Sequence, residues 1–178
     1  MAIRLRIGGR LASRVVRIAI VSDTHLPRGS RAMPEACMER MRAADLILHA
    51  GDFSVASVLE ELQALGPPVA AVHGNIDSAD VRRVLPERQV VGAAGVRIGL
   101  LHDAGPAPGR LQRMRLAFHD CDAVVFGHSH IPLHEELDGF QIFNPGSPTD
   151  RRRQPVHTMG EIEALDGRLT WRIITLEN

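Results

Sequence analysis

Short apolar runs recur along the chain, and each ends abruptly in polar residues or glycine. The runs with this pattern are RIAIV (17–21), DLIL (45–48), VAAV (69–72), VRIGLL (96–101), AVVF (123–126) and FQIF (140–143). Continuous apolar runs bounded by turn residues are typical of β-strands that are buried on both faces. The pattern therefore predicts six buried strands with polar residues at their carboxyl ends.

Stretches with helical signals separate the early runs. They predict helices over residues 34–43, 54–65, 78–84 and 109–119, the last with Leu111, Met114 and Phe118 at helical spacing. The chain then changes to hairpins, with turns at Asp138-Gly139 and Asp166-Gly167, and residues 88–101 form a further predicted hairpin. These elements together predict a mixed α/β (α+β) layered sandwich.

Seven side chains at the predicted strand ends suit metal chemistry. They supply two carboxylates, one amide and four imidazoles, from Asp23, His25, Asp52, Asn75, His102, His128 and His130. Ligands of open α/β sheets bind beyond the carboxyl ends of the strands, so we expect these side chains to meet at one edge. A mixed oxygen and imidazole set favours manganese, iron, nickel or zinc over calcium and magnesium. Seven donors exceed the needs of one tetrahedral ion and suit two ions that share a bridging carboxylate.

Composition narrows the chemistry further. All 21 basic residues are arginine and tyrosine is absent, which excludes a Walker-type phosphate loop, a lysine Schiff base and phenolic catalysis. The nine histidines, by contrast, are numerous for a chain of 178 residues. Because 21 acidic residues bring the formal net charge to zero, general nucleic-acid binding is not expected.

Cysteine usage and the length of the apolar runs bear on location and domain organisation. Cys37 and Cys121 form no metal-binding spacing and indicate thiols in a reducing compartment, so we expect a cytoplasmic protein. No apolar run approaches the roughly 18 residues that a membrane helix needs. We expect residues 15–178 to form one domain and residues 1–14 to be a poorly ordered, arginine-rich extension. For this extension a transit peptide, an upstream start codon and an edge strand over residues 2–7 stay open.

The order of the motifs carries a family resemblance. The motifs are DxH (23–25), GD (51–52), GNxD (74–77), His102, GHxH (127–130) and NPGS (144–147); each alone is weak, but their order is specific. Over residues 16–176 the chain resembles the calcineurin-like metallophosphoesterases, and more narrowly the small bacterial and archaeal phosphodiesterases whose fold is shared by the eukaryotic retromer subunit. The resemblance implies a four-layer α-β-β-α sandwich of two mixed β-sheets flanked by helices, with a binuclear metal site.

The resemblance also implies a role for each matching residue. A first metal would be held by Asp23, His25 and His130. A second metal would be held by Asn75, His102 and His128, while Asp52 would bridge both ions. The residues expected to act in catalysis are Asp52, Asn75 and His102.

Five further residues are expected to support the site or to contact substrate: His49, His73, Asp77, Asn144 and Ser147. Asn144 and Ser147 belong to the NPGS turn, which supports the site in the family. Asp77 is expected to hold its loop rather than to bind metal, and His49 to lie near Asp52. His73 is a candidate phosphate contact or substitute acid, although a structural hydrogen bond is the favoured role for it.

Two departures from the family pattern bear on catalysis. The larger phosphatases of the superfamily carry histidine where this chain has Ile76, and that histidine is the usual candidate for protonating the leaving group. Small members also lack it, so we expect a lower rate rather than a loss of hydrolysis. Residues 101–104 read Leu-His-Asp-Ala where relatives often read Thr-His-Gly-His, and only His102 is retained.

We therefore expect a metal-dependent phosphoesterase that hydrolyses phosphodiester bonds with a hydroxide activated between two divalent ions. Manganese is the first expectation for these ions, with iron, nickel or zinc as alternatives. The expected partner is a small phosphate ester rather than a membrane or a specific nucleic acid, and relatives make a homodimer or homotetramer reasonable. The alternative is a protein-interaction scaffold or regulator on the same fold, and the complete ligand set favours the enzyme.

Arg151, Arg152 and Arg153 directly follow the NPGS turn. Guanidinium groups suit phosphate, so these residues could steer a substrate. A solvated turn is the alternative, and we favour it for at least two of the three.

Overall fold

The computed structural model describes residues 14–177. Within this range the elements in chain order are β1 (Val16–Val21), α1 (Glu35–Arg42), β2 (Leu46–His49), α2 (Ala56–Gln63), β3 (Val69–Ala71), α3 (Ala79–Val84), β4 (Arg88–Ala93), β5 (Val96–Leu101), α4 (Arg110–Ala117), β6 (Ala123–Val125), β7 (Leu133–Leu137), β8 (Phe140–Asn144), β9 (His157–Leu165) and β10 (Arg168–Leu176). All six predicted buried strands and all four predicted helices are present in this range, with ends that differ by one or two residues.

The strands form two five-stranded sheets, ordered β10-β9-β1-β2-β3 and β4-β5-β6-β8-β7. In the first sheet β1, β2 and β3 are parallel, β9 pairs with β1 in the antiparallel sense, and β10 pairs antiparallel with β9 at the edge. In the second sheet β5, β6 and β8 are parallel, with antiparallel β4 and β7 at its edges. The six apolar runs are therefore the parallel strands, and the carboxyl ends of each set of three lie at one edge of its sheet.

Three apolar clusters establish the layer order. A central cluster joins inner-face residues of both sheets, such as Ile18 and Leu48 from the first and Ile98 and Val125 from the second. A second cluster packs α1 and α2 on the outer face of the first sheet, and a third packs α4 on the outer face of the second. The result is the four-layer α-β-β-α sandwich of two mixed β-sheets, which confirms the predicted fold class.

One predicted helix begins later than expected, and one predicted segment lies outside the described residues. The predicted helix over 54–65 begins only at Ala56, because Ser54 has a left-handed backbone with φ 93°. The predicted extension and its optional strand over 2–7 lie outside the described residues, apart from Arg14, whose guanidinium pairs with the Asp45 carboxylate. No helix within residues 14–177 has the length and apolar composition needed to cross a bilayer.

Candidate metal centre

The loops that follow the parallel strands carry strained backbone at the predicted ligands. Positive φ angles occur at Asp23 (55°), His25 (47°), Asp52 (63°), His128 (66°) and His130 (58°). A left-handed backbone costs a non-glycine residue roughly 1–3 kcal/mol, and such residues cluster at functional sites. The strain turns each side chain back toward a shared point instead of letting it follow the direction of its strand.

The first group of donors comprises Asp23, His25 and His130, all buried, with one ligand atom from each lying within 4.8 Å of the others. The Nε2 atoms of His25 and His130 are 3.2 Å apart. Oδ1 of Asp23 lies 3.4 Å from Nε2 of His130 and 3.9 Å from Nε2 of His25. The three residues predicted to hold the first ion are therefore brought together.

A second buried group comprises Asp23, Asp52 and His102, again within 4.8 Å of one another. Oδ2 of Asp52 lies 3.3 Å from Nε2 of His102 and 3.8 Å from Nε2 of His25. Oδ2 of Asp52 is thus near a nitrogen of each group, a position compatible with the predicted bridging role, while Asp23 is the residue that belongs to both groups.

Asn75 and His128 complete the set on the solvent side. Oδ1 of Asn75 is 3.0 Å from Nε2 of His102 and 3.0 Å from Nδ1 of His128. Both Asn75 and His128 are exposed, whereas the other five predicted ligands are buried. The structure therefore places all seven side chains at one edge of the sandwich, and their roles as ligands stay predictions.

Backbone carbonyls fix the orientation of two imidazoles. Nδ1 of His102 lies 2.7 Å from the Ala50 carbonyl oxygen, and Nδ1 of His130 bonds the Asp150 carbonyl oxygen. Because a carbonyl only accepts, each Nδ1 carries the hydrogen, and in the neutral ring Nε2 keeps its lone pair toward the group. Metal-binding histidines show this same second hydrogen bond.

Burial controls the charge of the first group. Burial raises the pKa of Asp23 to about 7, against its ordinary 3.8. Burial also lowers the pKa of His130 to about 4 and lowers the pKa of His25, so both imidazoles are neutral at pH 7.

In the second group Asp52 and His102 each favour the charged form of the other. Burial opposes ionisation of Asp52, but hydrogen bonding to His102 and the charge of that ring outweigh it and lower the pKa of Asp52 to about 2. Burial likewise opposes protonation of His102, and the carboxylates of Asp52 and Asp23 outweigh it and raise the pKa of His102.

Two observations show that these residues fit divalent cations. Oδ2 of Asp23 is buried without a hydrogen-bond partner among the described residues, although buried polar atoms are nearly always paired. The facing Nε2 atoms of the neutral His25 and His130 rings, 3.2 Å apart and beside the Asp23 carboxylate, are the second observation, because both nitrogens point to one place where a cation could take their lone pairs. Nitrogen and oxygen donors of this kind suit manganese, iron or zinc.

Asp77 holds the loops that carry Asp52 and Asn75. Its carboxylate accepts hydrogen bonds from the backbone N–H groups of Gly74 (2.7 Å), Ser54 (2.8 Å) and Asp52 (3.1 Å). With both oxygens engaged in this way, Asp77 acts on the backbone, in line with the predicted loop role.

The NPGS turn supports the opposite side of the centre. Ser147 donates its hydroxyl to the Asp23 carbonyl (2.8 Å) and accepts from the backbone N–H of Asp150 (2.8 Å). The Asn144 amide donates to the Gly127 carbonyl (2.7 Å), and its oxygen accepts from Gly146 N–H (2.8 Å). Both residues hold the backbone of predicted ligands, which agrees with the supporting role that the resemblance implies.

His49 and His73 differ in burial and in the groups that they contact. His49 is completely buried, stacks on Phe53 with ring centroids 3.5 Å apart, and contacts Thr24 Oγ1 at 3.2 Å, while burial lowers its pKa to about 3. It packs beneath the centre as a neutral ring. The half-buried His73 contacts the carbonyl of Gly74 at 3.3 Å, a local hydrogen bond of the favoured structural kind.

Two glycines allow the loops to approach one another. A Cβ atom at Gly74 would lie 2.0 Å from Oδ1 of Asp52, and one at Gly127 would lie 1.9 Å from Oγ of Ser22 and 2.9 Å from Oδ2 of Asp23. The glycines of the GNxD and GHxH motifs are therefore required for space rather than for turn conformation.

Ile76 stands beside the centre in the place of the histidine of larger relatives. Its backbone N–H donates to Oδ1 of Asp52 (3.0 Å), and its side chain is 46% exposed. The main chain at this position thus orients a predicted ligand, while the side chain offers no proton.

Three residues near the centre were not singled out by the sequence. Asp150 supplies the carbonyl that orients His130. Arg82 donates to the carbonyls of Asn75 and Asp77 and so holds the GNxD loop. Arg31 pairs with Asp150 at 3.2 Å. None of these residues lies in a motif. The contacts of Asp150 and Arg82 involve backbone carbonyls, and such contacts leave no recognisable pattern of side chains in the sequence.

Comparison with known proteins gives a consistent picture. The family model described as the calcineurin-like phosphoesterase superfamily domain matches residues 16–166. A probable metallophosphoesterase of Methanothermobacter thermautotrophicus is 36% identical over 134 residues, which cover 74% of this chain and 77% of that protein. A phosphodiesterase of Methanocaldococcus jannaschii is 24% identical over 144 residues, covering 74% of this chain and 83% of that protein.

Among solved structures, vacuolar protein sorting 29 from Cryptosporidium parvum matches with a TM-score of 0.75 and 22% identity. The match covers 92% of this chain and 99% of that one. At this identity the likeness shows the fold alone.

Proposed function

Because the chain belongs to the calcineurin-like phosphoesterase superfamily, we propose that it is a metal-dependent phosphodiesterase that works with two divalent ions. The observation that carries this proposal is the convergence of seven donor side chains from five loops on one edge of the sandwich, with Oδ2 of Asp52 near Nε2 of both His25 and His102. A scaffold would not need five of these residues to be held in strained backbone.

Each ion is assigned its own set of donors. The first would be held by Asp23, His25 and His130, and the second by Asn75, His102 and His128, with Asp52 shared. Two bound divalent ions supply acidified water and neutralise charge on the phosphoryl oxygens. We propose manganese for both positions, supported by the mixed oxygen and nitrogen donors, with iron, nickel and zinc as alternatives.

The exposure of the donors indicates how a substrate enters. Asn75 and His128 are exposed while the first group is buried, so an ester reaches the centre from the Asn75 side. The Asn75 amide and the His128 ring are the groups placed to contact its phosphoryl oxygens. Asp77 and Ser147 keep both halves rigid, so little reorganisation is needed when the ester binds.

A phosphodiester with an acidic leaving group suits this edge, because a leaving group that departs as a stable anion needs no proton donor. Ile76 offers no proton and its exposed side chain presents an apolar surface beside Asp52. The relative named as a phosphodiesterase supports the same substrate class. A protein-interaction role without catalysis is the alternative, and the complete donor set favours hydrolysis.

The test compares Asp52→Asn with Asp103→Asn. Asp103 is an exposed carboxylate near His102 that accepts only a local hydrogen bond from Gly105 N–H, which asparagine also accepts. We expect Asp52→Asn to lose bound metal, measured by mass spectrometry of the metal content, and to hydrolyse bis(p-nitrophenyl) phosphate at least about 100-fold more slowly. Asp103→Asn should match the wild type. Full manganese-dependent activity in Asp52→Asn would refute the assignment.

Assembly and location complete the proposal. A homodimer or homotetramer is supported by Leu116 on α4 and Leu137 on β7, which are 79% and 42% exposed. A cytoplasmic location is supported by Cys37 and Cys121, which are both free thiols. Light scattering after gel filtration measures the assembly, with a monomeric mass as the contrary result.

A further inference from the structure

Two loops beside the His25–His130 half of the centre are rich in arginine. Residues 27–34 follow His25 and carry Arg28 and Arg31 without any acidic residue. Residues 148–156 follow the NPGS turn and carry Arg151, Arg152 and Arg153 with Asp150 as their one acidic residue. In a chain with zero net charge, this is a local excess of positive charge.

Asp150 links two of these arginines to a predicted metal ligand. Its carbonyl oxygen accepts from Nδ1 of His130, and Oδ2 of its carboxylate lies 3.2 Å from Nη1 of Arg31 and 3.8 Å from Nη1 of Arg28. One residue therefore fixes the imidazole and draws both guanidinium groups to the same side of the centre.

The guanidinium groups of Arg28 and Arg31 therefore lie beside the residue that orients His130, on the His25–His130 half of the centre. Arg152 is exposed on the second loop, with a left-handed backbone of φ 49°.

These arginines are less neutralised than others on the surface. Arg42, Arg83 and Arg97 each have their own carboxylate partner at 2.5–2.8 Å. Arg28 and Arg31 share the single carboxylate of Asp150, which is 9% exposed, while their own side chains are 67% and 36% exposed. Guanidinium donors therefore remain available to a ligand.

We propose that Arg28 and Arg31 form an anion-binding subsite beside the metal centre, and that the substrate is a small phosphate ester with a second anionic group, a carboxylate or a phosphate, on its non-leaving part. Planar guanidinium groups bind both anions through paired hydrogen bonds. This inference rests on the proposed phosphodiesterase function, and it names the substrate class of that same centre.

The first test uses two nearly isosteric substrates, propyl p-nitrophenyl phosphate and 2-carboxyethyl p-nitrophenyl phosphate, which differ in one anionic group. We expect kcat/KM of the manganese-loaded wild type to be at least about tenfold higher for the carboxylate ester. Arg28→Gln and Arg31→Gln should each lower that ratio about threefold or more, mainly through KM. A 2-phosphoethyl ester distinguishes phosphate from carboxylate as the preferred second anion.

Arg153→Gln is the matched control, because it removes the same charge from an exposed position on the second loop. The ratio should remain within about twofold of the wild type in this variant. An equal fall in Arg153→Gln would show a general charge effect and overturn the subsite, as would equal kcat/KM for the two esters.

A binding experiment separates this inference from the proposed function. Calorimetry compares 3-phosphonopropionate with propylphosphonate on the same protein, and we expect the first to bind at least about tenfold more tightly, with the difference reduced in Arg31→Gln. If neither ester is hydrolysed but this difference persists, the hydrolytic function fails and the subsite stands. If both phosphonates bind equally, the subsite fails whatever the activity.

Discussion

The Nε2 atoms of His25 and His130 face each other at 3.2 Å, in rings that stack with centroids 5.0 Å apart. Burial keeps both rings neutral, and the carbonyl bonded to Nδ1 of His130 leaves its Nε2 with a lone pair. In the proposed first cation site this pair would supply two nitrogen donors and Asp23 the carboxylate.

Divalent ions should stabilise the fold through this pair. An ion at about 100 times its dissociation constant adds about 2.7 kcal/mol, which raises Tm by roughly 5–10 °C for a chain of this size. His130→Gln should lose most of that shift, because glutamine cannot replace the inward Nε2. Scanning fluorimetry with manganese or zinc measures it, and His119→Gln, at an exposed position, is the control. An equal shift in both variants would place the ions elsewhere.

Metal affinity should depend on pH through Asp23. Burial raises the pKa of this carboxyl to about 7, so below that pH an incoming ion must displace its proton, whereas His130, with a pKa of about 4, is already neutral. Affinity for the first ion should therefore rise about tenfold per pH unit between roughly pH 5 and 6.5 and flatten above about pH 7.5. Calorimetry in two buffers of different ionisation enthalpy counts the protons released. No proton release at acidic pH would contradict the assignment.

The raised pKa of Asp23 has the opposite effect on the stability of the metal-free protein, which falls as the pH rises. A carboxyl with a raised pKa contributes stability that is present below its ordinary value of 3.8 and is lost as pH rises through about 7. The stabilisation by metal should accordingly be larger at about pH 8 than at about pH 5.5.

Gly74→Ala should disturb the centre through the space that its Cβ atom needs, and not through a backbone conformation that alanine cannot adopt. The new Cβ would lie 2.0 Å from Oδ1 and 2.6 Å from the backbone nitrogen of Asp52, and this contact cannot be relieved by a flexible side chain end. We expect a loss of about 2 kcal/mol or more in the free energy of unfolding and at least about tenfold weaker metal binding. Urea denaturation and calorimetry measure the two effects.

Gly92→Ala is the matched control for this substitution. Its Cβ would approach nothing nearer than the Val96 carbonyl at 4.0 Å, so stability should stay within about 0.5 kcal/mol. Similar losses in both variants would mean that the close approach at Gly74 is not the cause.

The exposed Ile76 predicts a steep dependence on the leaving group. With no proton donor at this position, hydrolysis should slow strongly as the pKa of the leaving phenol rises across a series of aryl phosphodiesters. Ile76→His should raise kcat about tenfold or more for the poorest leaving group and change it little for p-nitrophenol, because general acid catalysis matters only where the leaving group is basic. Ile76→Gln, which has a polar side chain that does not titrate, should not reproduce the gain. A uniform change across the series would refute this role.

The fold, and the residues that meet at the candidate site, could be predicted from the sequence because both have local signatures. Apolar runs such as RIAIV mark buried parallel strands, and Asp23, Asp52 and His102 follow directly at their ends. The Asp77 contacts were also foreseeable, because an aspartate in a turn commonly accepts from neighbouring backbone N–H groups.

The supporting contacts could not be foreseen because they join distant loops. The Asp150 carbonyl meets His130 twenty residues away, and the Ser147 hydroxyl reaches the Asp23 carbonyl across 124 residues. Backbone carbonyls are present in every residue, so no side-chain pattern distinguishes the one that orients a ligand. The pairing of Arg28 and Arg31 with Asp150 likewise depends on two loops meeting after both sheets have formed.

The seven donors come from both sheets: Asp23, His25, Asp52 and Asn75 follow strands of the first, and His102, His128 and His130 follow strands of the second. At the far edge, a backbone hydrogen bond from Gly167 to Ala94 (3.0 Å) joins hairpin turns of the two sheets. A bound pair of ions would therefore act as a reversible cross-link between two halves of the sandwich, in a chain whose two cysteines are free. Loss of the ions would remove this cross-link at the edge that carries the chemistry. The supply of metal would therefore affect both catalysis by this protein and its resistance to unfolding.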